Sequence, residues 1–240
     1  MFTFTACRGS GFEILSSPSG SRDAWRGSLA SLFHVAKRLV DWTWAEIRCG
    51  SLRQPASLLG KLERPSFAKS WRHFAAQFER QYPLELVSPF EETDSIAGAV
   101  WPGSIIDPQR DDGLAKLRFD AGTRDLPMHV HENSDRCILV LQGRGLFHLS
   151  NATLDTFSGR DIRTVSVQPG QVLVFTRGLL HTFSTNHEPL VLLSYHAPLI
   201  PFNDPLQYTV SAFRWTAGAA LQTRSNTPAH AATDEVLAAS

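Results

Sequence analysis

Two periodicities divide the chain. Between Trp25 and Arg48, the residues Leu29, Leu32, Phe33, Ala36, Leu39 and Val40 recur every three to four positions. That spacing puts them on one face of an amphipathic helix. Ser66 is placed to cap a second helix with Trp71, Phe74, Ala75 and Phe78 on one side, and Pro83 ends it. From about Leu84 the pattern shortens. Ala115–Asp120, Arg136–Leu141, Gly145–Ser150, Ile162–Val167, Gln171–Thr176 and Leu190–His196 are short runs rich in Val, Ile, Leu and Phe. Turn signals such as Gln142-Gly143-Arg144-Gly145 and Gln168-Pro169-Gly170 punctuate them. Many short strands with no helices between them predict an antiparallel sandwich or barrel. The expected organisation is a Ser/Gly-rich disordered stretch at 1–22 and a helical extension at 23–82. A barrel at 84–215 and a disordered Ala/Ser/Thr-rich tail at 216–240 complete it.

Composition adds boundaries rather than detail. The chain has 240 residues, of which 42% are apolar and 19% charged, as in ordinary globular proteins. No run approaches the roughly 18 to 20 apolar residues of a membrane span, so no membrane association is expected. Met1 to Gly20 lacks the basic-then-apolar order of a signal peptide, and a cytoplasmic location is the expectation. Cys7, Cys49 and Cys137 are too few and scattered for a disulfide framework or a zinc cluster. Net charge is zero but uneven: residues 1–80 carry a surplus of six positive charges and residues 81–240 the opposite. A surplus of that size is that of a solvated face more often than of a nucleic-acid surface.

The chemistry concentrates in histidines. In an extended strand, residues i and i+2 share a face, so His129 and His131 project together, as two ligands of one metal must. His181 follows a strand and an Arg177-Gly178 turn and supplies a third imidazole. Imidazole nitrogen suits Fe, Ni, Cu, Zn and Mn. A His-X-His pair alone is weak, since half-buried strands also carry histidines for packing. His148, His187 and His196 are expected to be of that kind.

Together the two segments resemble the paired motifs of the cupin superfamily. Gly122, His129, His131, position 136 and Gly143 follow the first motif. Gly170, Thr176, Gly178 and His181 follow the second, with Asn186 one position late. The resemblance covers about 90 residues. It implies an all-β, double-stranded β-helix (jelly-roll barrel) enclosing a ligand cavity, with the helical segment as an N-terminal extension. It also implies a homodimer paired through outer sheets.

Position 136 departs from the motif. The family spacing expects a metal-binding Glu there and the chain has Arg136, which cannot ligate a cation. Three readings stand. Asp135 supplies the carboxylate as a fourth ligand if the strand is bulged. The centre has only three histidines, as in cupin-type thiol and diketone dioxygenases. Or Arg136 turns inward to anchor an anionic substrate, a reading compatible with the second. Cys137 falls on the opposite face by alternation and is expected to pack as a small hydrophobe.

The leading expectation is a metal-binding cupin acting as a non-haem dioxygenase on a small anionic organic molecule. One divalent ion, Fe(II) ahead of Mn, Ni or Zn, would sit on His129, His131 and His181. Isomerisation by Lewis-acid polarisation is the second enzymatic expectation. The other class is a non-catalytic ligand-binding cupin, as a transcriptional regulator with a degenerate helix-turn-helix within 23–82. Ser57-Leu-Leu-Gly-Lys-Leu-Glu-Arg-Pro-Ser-Phe faintly resembles a recognition-helix end, although Pro55 sits close to where that helix should begin.

Overall fold

Strand β8 (Asp135–Gln142) shows how this sequence makes a sheet. Its residues Arg136, Ile138 and Val140 alternate with Asp135, Cys137, Leu139 and Leu141, and every one of these is buried. Two-sided burial identifies an inner strand covered on both faces, and the architecture follows from what does the covering. The computed structural model describes residues 2–8, 11–16, 29–62, 85–86, 96–105 and 107–219.

Thirteen further strands join β8 in two antiparallel sheets. Along the chain run β1 (Phe2–Arg8), β2 (Gly11–Ser16), helix α1 (Leu29–Arg48), β3 (Ser57–Leu62), β4 (Glu85–Leu86), β5 (Ile96–Pro102), β6 (Gly113–Phe119) and β7 (His129–Val130). After β8 come β9 (Gly145–Ser150), β10 (Arg163–Val167), β11 (Gln171–Phe175), β12 (Leu180–Thr185), β13 (Leu190–Ala197) and β14 (Thr209–Val210). The larger sheet has the order β2-β1-β3-β11-β8-β13-β6-β5-β4, and the smaller β10-β9-β12-β7-β14. All six strand runs read from the sequence are strands, and the all-β jelly-roll class holds.

Two cores lie on the two faces of the large sheet. Between the sheets, Phe119, Ile138, Val140, Phe175, Leu190 and Leu192 meet Phe147, Leu149 and Phe183 of the smaller sheet. On the outer face, Phe33, Ala36, Leu39 and Val40 of α1 pack on Cys137, Leu139, Val174, Leu193 and Tyr195. The three-to-four spacing that predicts the helix is thus the spacing of its contact face. The helix ends where Gly50 takes a left-handed φ of 77° and its N–H donates to the Ile47 carbonyl at 3.0 Å.

Three segments differ from the sequence reading. Residues 1–22, expected to be disordered, contain β1 and β2. Phe2-Thr-Phe-Thr-Ala alternates as a strand should, and β1 pairs with both β2 and β3. Ser57–Leu62 is not the end of a recognition helix but β3, with Leu58 opposite Val174 of β11. Leu58 is fully buried there. At the other end, residues 216–219 close back on the barrel, where the Gly218 N–H donates to the Arg124 carbonyl at 2.9 Å. The helix expected after Ser66 and the tail beyond 219 lie outside the described residues.

The turn from β8 to β9 requires Gly143. Its φ is 75°, and a Cβ there would lie 1.7 Å from the Pro189 carbonyl oxygen. Both the backbone conformation and the close approach exclude a larger residue. No helix among the described residues is long and apolar enough to cross a membrane.

Candidate metal centre

The three motif histidines meet at one end of the cavity between the sheets. His129 on β7 is the register partner of His181 on β12, so the sheet ladder itself sets them side by side. His131 follows two residues after His129, and the Gly178 N–H donates to its carbonyl at 3.0 Å, tying the turn before His181 to it. Ring centroids are 4.5 Å apart for His129–His181, 5.1 Å for His131–His181 and 5.2 Å for His129–His131. One ring nitrogen from each lies within 4.8 Å of the other two.

Each ring is held by its other nitrogen. His129 Nδ1–H donates to the Pro127 carbonyl at 2.9 Å, and His181 Nδ1–H to the Leu179 carbonyl at 2.9 Å. His131 Nδ1–H donates to the Gln207 carbonyl. A carbonyl only accepts, so the proton of each neutral ring sits on Nδ1 and the lone pair on Nε2. That is the tautomer a metal ligand needs, with its orientation set from behind. Burial strips water from the rings and pushes His129 down to about 4, the Pro127 hydrogen bond opposing and the Arg136 charge assisting. Burial, with nearby positive charge, also holds His131 and His181 well below the ordinary histidine range. All three are neutral at pH 7 and need not shed a proton to ligate. Three neutral nitrogen donors fit a divalent transition ion.

Adjacent residues of β8 divide the two carboxylate questions. Asp135 is no ligand. It faces outward from the barrel, where Oδ2 accepts from Trp44 Nε1 at 3.0 Å and from Arg177 Nη2 at 2.9 Å. Its Oδ1 accepts the Arg177 backbone N–H at 2.8 Å. The strand has no bulge at this position, so alternation keeps Asp135 on the α1 side with Cys137. Cys137 packs in the outer core, and burial pushes its thiol up to about 12.

Arg136 points the other way and lines the cavity with the histidines. It is 2% exposed. Nη1 donates to Ser134 Oγ and to the Asp135 carbonyl at 3.2 Å, and Nη2 to Gln207 Oε1 at 3.4 Å. No carboxylate pairs with it among the described residues. Burial lowers the guanidinium to about 9, which leaves it charged at neutral pH.

The cavity is about 60 Å³, walled by Ile138, Phe175 and Phe183 and by the loop residues Phe202, Gln207 and Tyr208. Two of its polar residues escape the sequence reading. His196 lies on β13 opposite Arg136, fully buried, with neither ring nitrogen hydrogen-bonded. Alternation was the available signal: Leu190, Leu192, Ser194 and His196 share the inner face. Gln207 sits in a loop and carries no periodic signal. His148, by contrast, is a structural histidine bonded to Thr164 Oγ1 at 2.9 Å and Ser184 Oγ at 2.8 Å.

The chain is similar to several known proteins. A family model described as Cupin matches residues 107–207. A germin-like protein 1 of Brassica napus is 30% identical over 103 residues, which are 42% of this chain and 47% of that protein. The chain therefore spans about half the length of the curated relative it matches. Among solved structures, a Lactobacillus farciminis oxalate decarboxylase–formate complex is 18% identical, with a TM-score of 0.37. That match covers 55% of this chain and 34% of the decarboxylase. A DMSP lyase structure is 20% identical with a TM-score of 0.34, covering 44% and 50% of the two chains.

Proposed function

Because residues 107–207 of this chain are a cupin domain, we propose that His129, His131 and His181 hold one divalent metal ion and that the centre acts on a small anionic organic molecule. The carrying observation is the convergence of three ring nitrogens within 4.8 Å, each ring fixed from behind by a backbone carbonyl. Fe(II) is the ion favoured by this reading, with Mn, Ni and Zn as competitors on the same donors. When bound, the ion supplies Lewis acidity and, if it is iron, the redox chemistry of a dioxygenase.

The chain's own residues supply the rest. Three ligands leave coordination positions for a substrate. Phe175 and Phe183 keep the pocket dry, which strengthens every charge interaction inside it. Arg136 offers a planar fork to an anionic group and orients it towards the histidines. Isomerisation by carbonyl polarisation uses the same parts without a redox step.

A second reading is favoured by one residue. Arg136 stands where the motif carries a metal-binding Glu, and a pocket that has exchanged a carboxylate for a guanidinium also suits a non-catalytic ligand binder. Elemental analysis separates the two. After reconstitution with Fe(II), Mn(II), Ni(II) and Zn(II) in turn, the metal-centre reading expects about one ion per chain. It expects under about a tenth of an ion in the His129→Ala/His181→Ala double variant. Wild-type protein that stays at the variant's level overturns it.

A further inference from the structure

The cavity is short of negative charge. Its walls hold a guanidinium and four imidazoles, and none of its lining residues is Asp or Glu. Nearby Asp135 is turned away and already engaged by Arg177 and Trp44. Arg136 is therefore a dry cation hydrogen-bonded by neutral acceptors alone, and the Asp135 carboxylate acts on it only through space from the other face of the strand, an arrangement that is costly unless something completes it. Two further groups on the same wall are incomplete. His196 has two unpartnered ring nitrogens, and Gln207 has an unpartnered Nε2 amide while its Oε1 accepts from Arg136. All three side chains are at least 98% buried. Because His196 and Arg136 are register partners across β13 and β8, they stand side by side on the cavity face.

We propose that Arg136, His196 and Gln207 form a carboxylate-binding subsite, and that the cavity's ligand is a short carboxylic acid with a second oxygen donor directed at the histidine cluster. The guanidinium, the amide N–H and an imidazole N–H all donate, and a carboxylate has lone pairs for all of them. Size limits the ligand. A cavity of about 60 Å³ lies far below the roughly 300–1,000 Å³ of drug-sized sites, so its ligand is small. A two- or three-carbon hydroxy or oxo acid meets that limit. Charge points the same way. A divalent ion on three neutral imidazoles would add two positive charges beside Arg136, so the negative charge that the cavity's lining residues lack would arrive with the ligand. The choice of a second oxygen donor rests on the metal reading above; the carboxylate subsite does not.

Calorimetry separates the two parts. Metal-free protein is titrated with propanoate, lactate and the uncharged isostere propanamide. Propanoate and lactate are expected to bind alike, and propanamide at least about tenfold more weakly. Arg136→Gln is expected to lose that preference. Gln207→Glu, which keeps the side-chain shape and presents Arg136 with an internal carboxylate, is expected to lose it too. Should Arg136→Gln fail to fold by circular dichroism, Gln207→Glu decides alone. Propanoate binding no better than propanamide, or undiminished in folded Gln207→Glu, overturns the subsite. Co(II)-loaded protein then tests the second donor: lactate should exceed propanoate by about tenfold. Equal binding there overturns the directed donor. Failure of Co(II) to bind overturns the metal reading and with it the directed donor, while the metal-free result still decides the subsite.

Discussion

Asp135 and Arg136 are neighbours on one strand, equally buried, and sit in opposite kinds of environment. On the α1 side of β8, polar groups are matched. Asp135 takes Trp44 and Arg177, and Asp112 takes the Tyr195 hydroxyl at 2.7 Å and Arg110 Nε at 2.8 Å. On the cavity side, among the described residues, no carboxylate pairs with Arg136, the His196 ring nitrogens have no hydrogen-bond partner, and the Gln207 Nε2 amide has none either. A buried polar group is ordinarily satisfied within the protein. The first environment is a packing solution finished by folding; the second is finished only by something from outside.

The sharpest way to break that contrast is to remove the cavity-side donors. His181→Ala should leave the fold intact and lower metal content from about one ion per chain to under about a tenth. Inductively coupled plasma measurement after reconstitution reads it, and full occupancy in the variant would move the metal elsewhere.

Acid is the next largest lever. Burial lowers His129 and His148 to about 4 and holds His131, His181 and His196 well below their ordinary range. Below pH about 6.5 the unfolded chain takes up protons that the folded protein refuses, so stability is present above that pH and lost below it. The slope is about 1.4 kcal/mol per pH unit for each such histidine, and for His129 and His148 it flattens below about pH 4. Denaturant midpoints for the metal-free protein at pH 7.5, 6.5, 5.5 and 4.5 should fall accordingly. A flat profile would mean that water reaches these rings.

A smaller effect tests the finished side. Asp135→Ala should cost about 2 to 3 kcal/mol, because it strands the Trp44 N–H while the half-exposed Arg177 can rehydrate. Metal content should not change. Loss of metal without loss of stability would return Asp135 to the ligand set. The smallest effect is a control away from both faces. Lys37→Ala, which removes the exposed pair with Asp41 on α1, should cost about 0.3 kcal/mol in the same denaturation assay.

How much of this could be read from the chain differs by residue. His129, His131 and His181 were legible because strand alternation and motif spacing both point to them, whereas the inward turn of Arg136 was one of several open readings at its position. Asp135 as a fourth ligand needed a bulge at that position, and β8 shifts register only near its far end, opposite Val191 and Leu192. His196 was read as packing; the structure places it on the cavity wall, where its alternation with Ser194 and Leu192 follows the same rule that identified the others. Gln207 was out of reach, since a loop has no period and its role comes from a chain reversal that local pattern does not encode. The strands at Phe2–Arg8 and Ser57–Leu62 were obscured differently. Ser/Gly-rich surroundings hid the first, and an apolar Leu-Leu pair fits a helix as well as a strand.

Gln207 bears on where this protein's selectivity can be changed. Its backbone carbonyl steadies His131, its side chain meets Arg136, and it stands with Phe202 and Tyr208 on a wall of the cavity that is loop rather than sheet. The histidines and the arginine are mortised into strands, where a shift would disturb two cores at once. The loop wall can be recut without touching either. Exchanging Phe202 or lengthening the 198–206 stretch is accordingly the route by which this barrel would be retuned to a larger guest, with the hearth left as it is and only the door rehung.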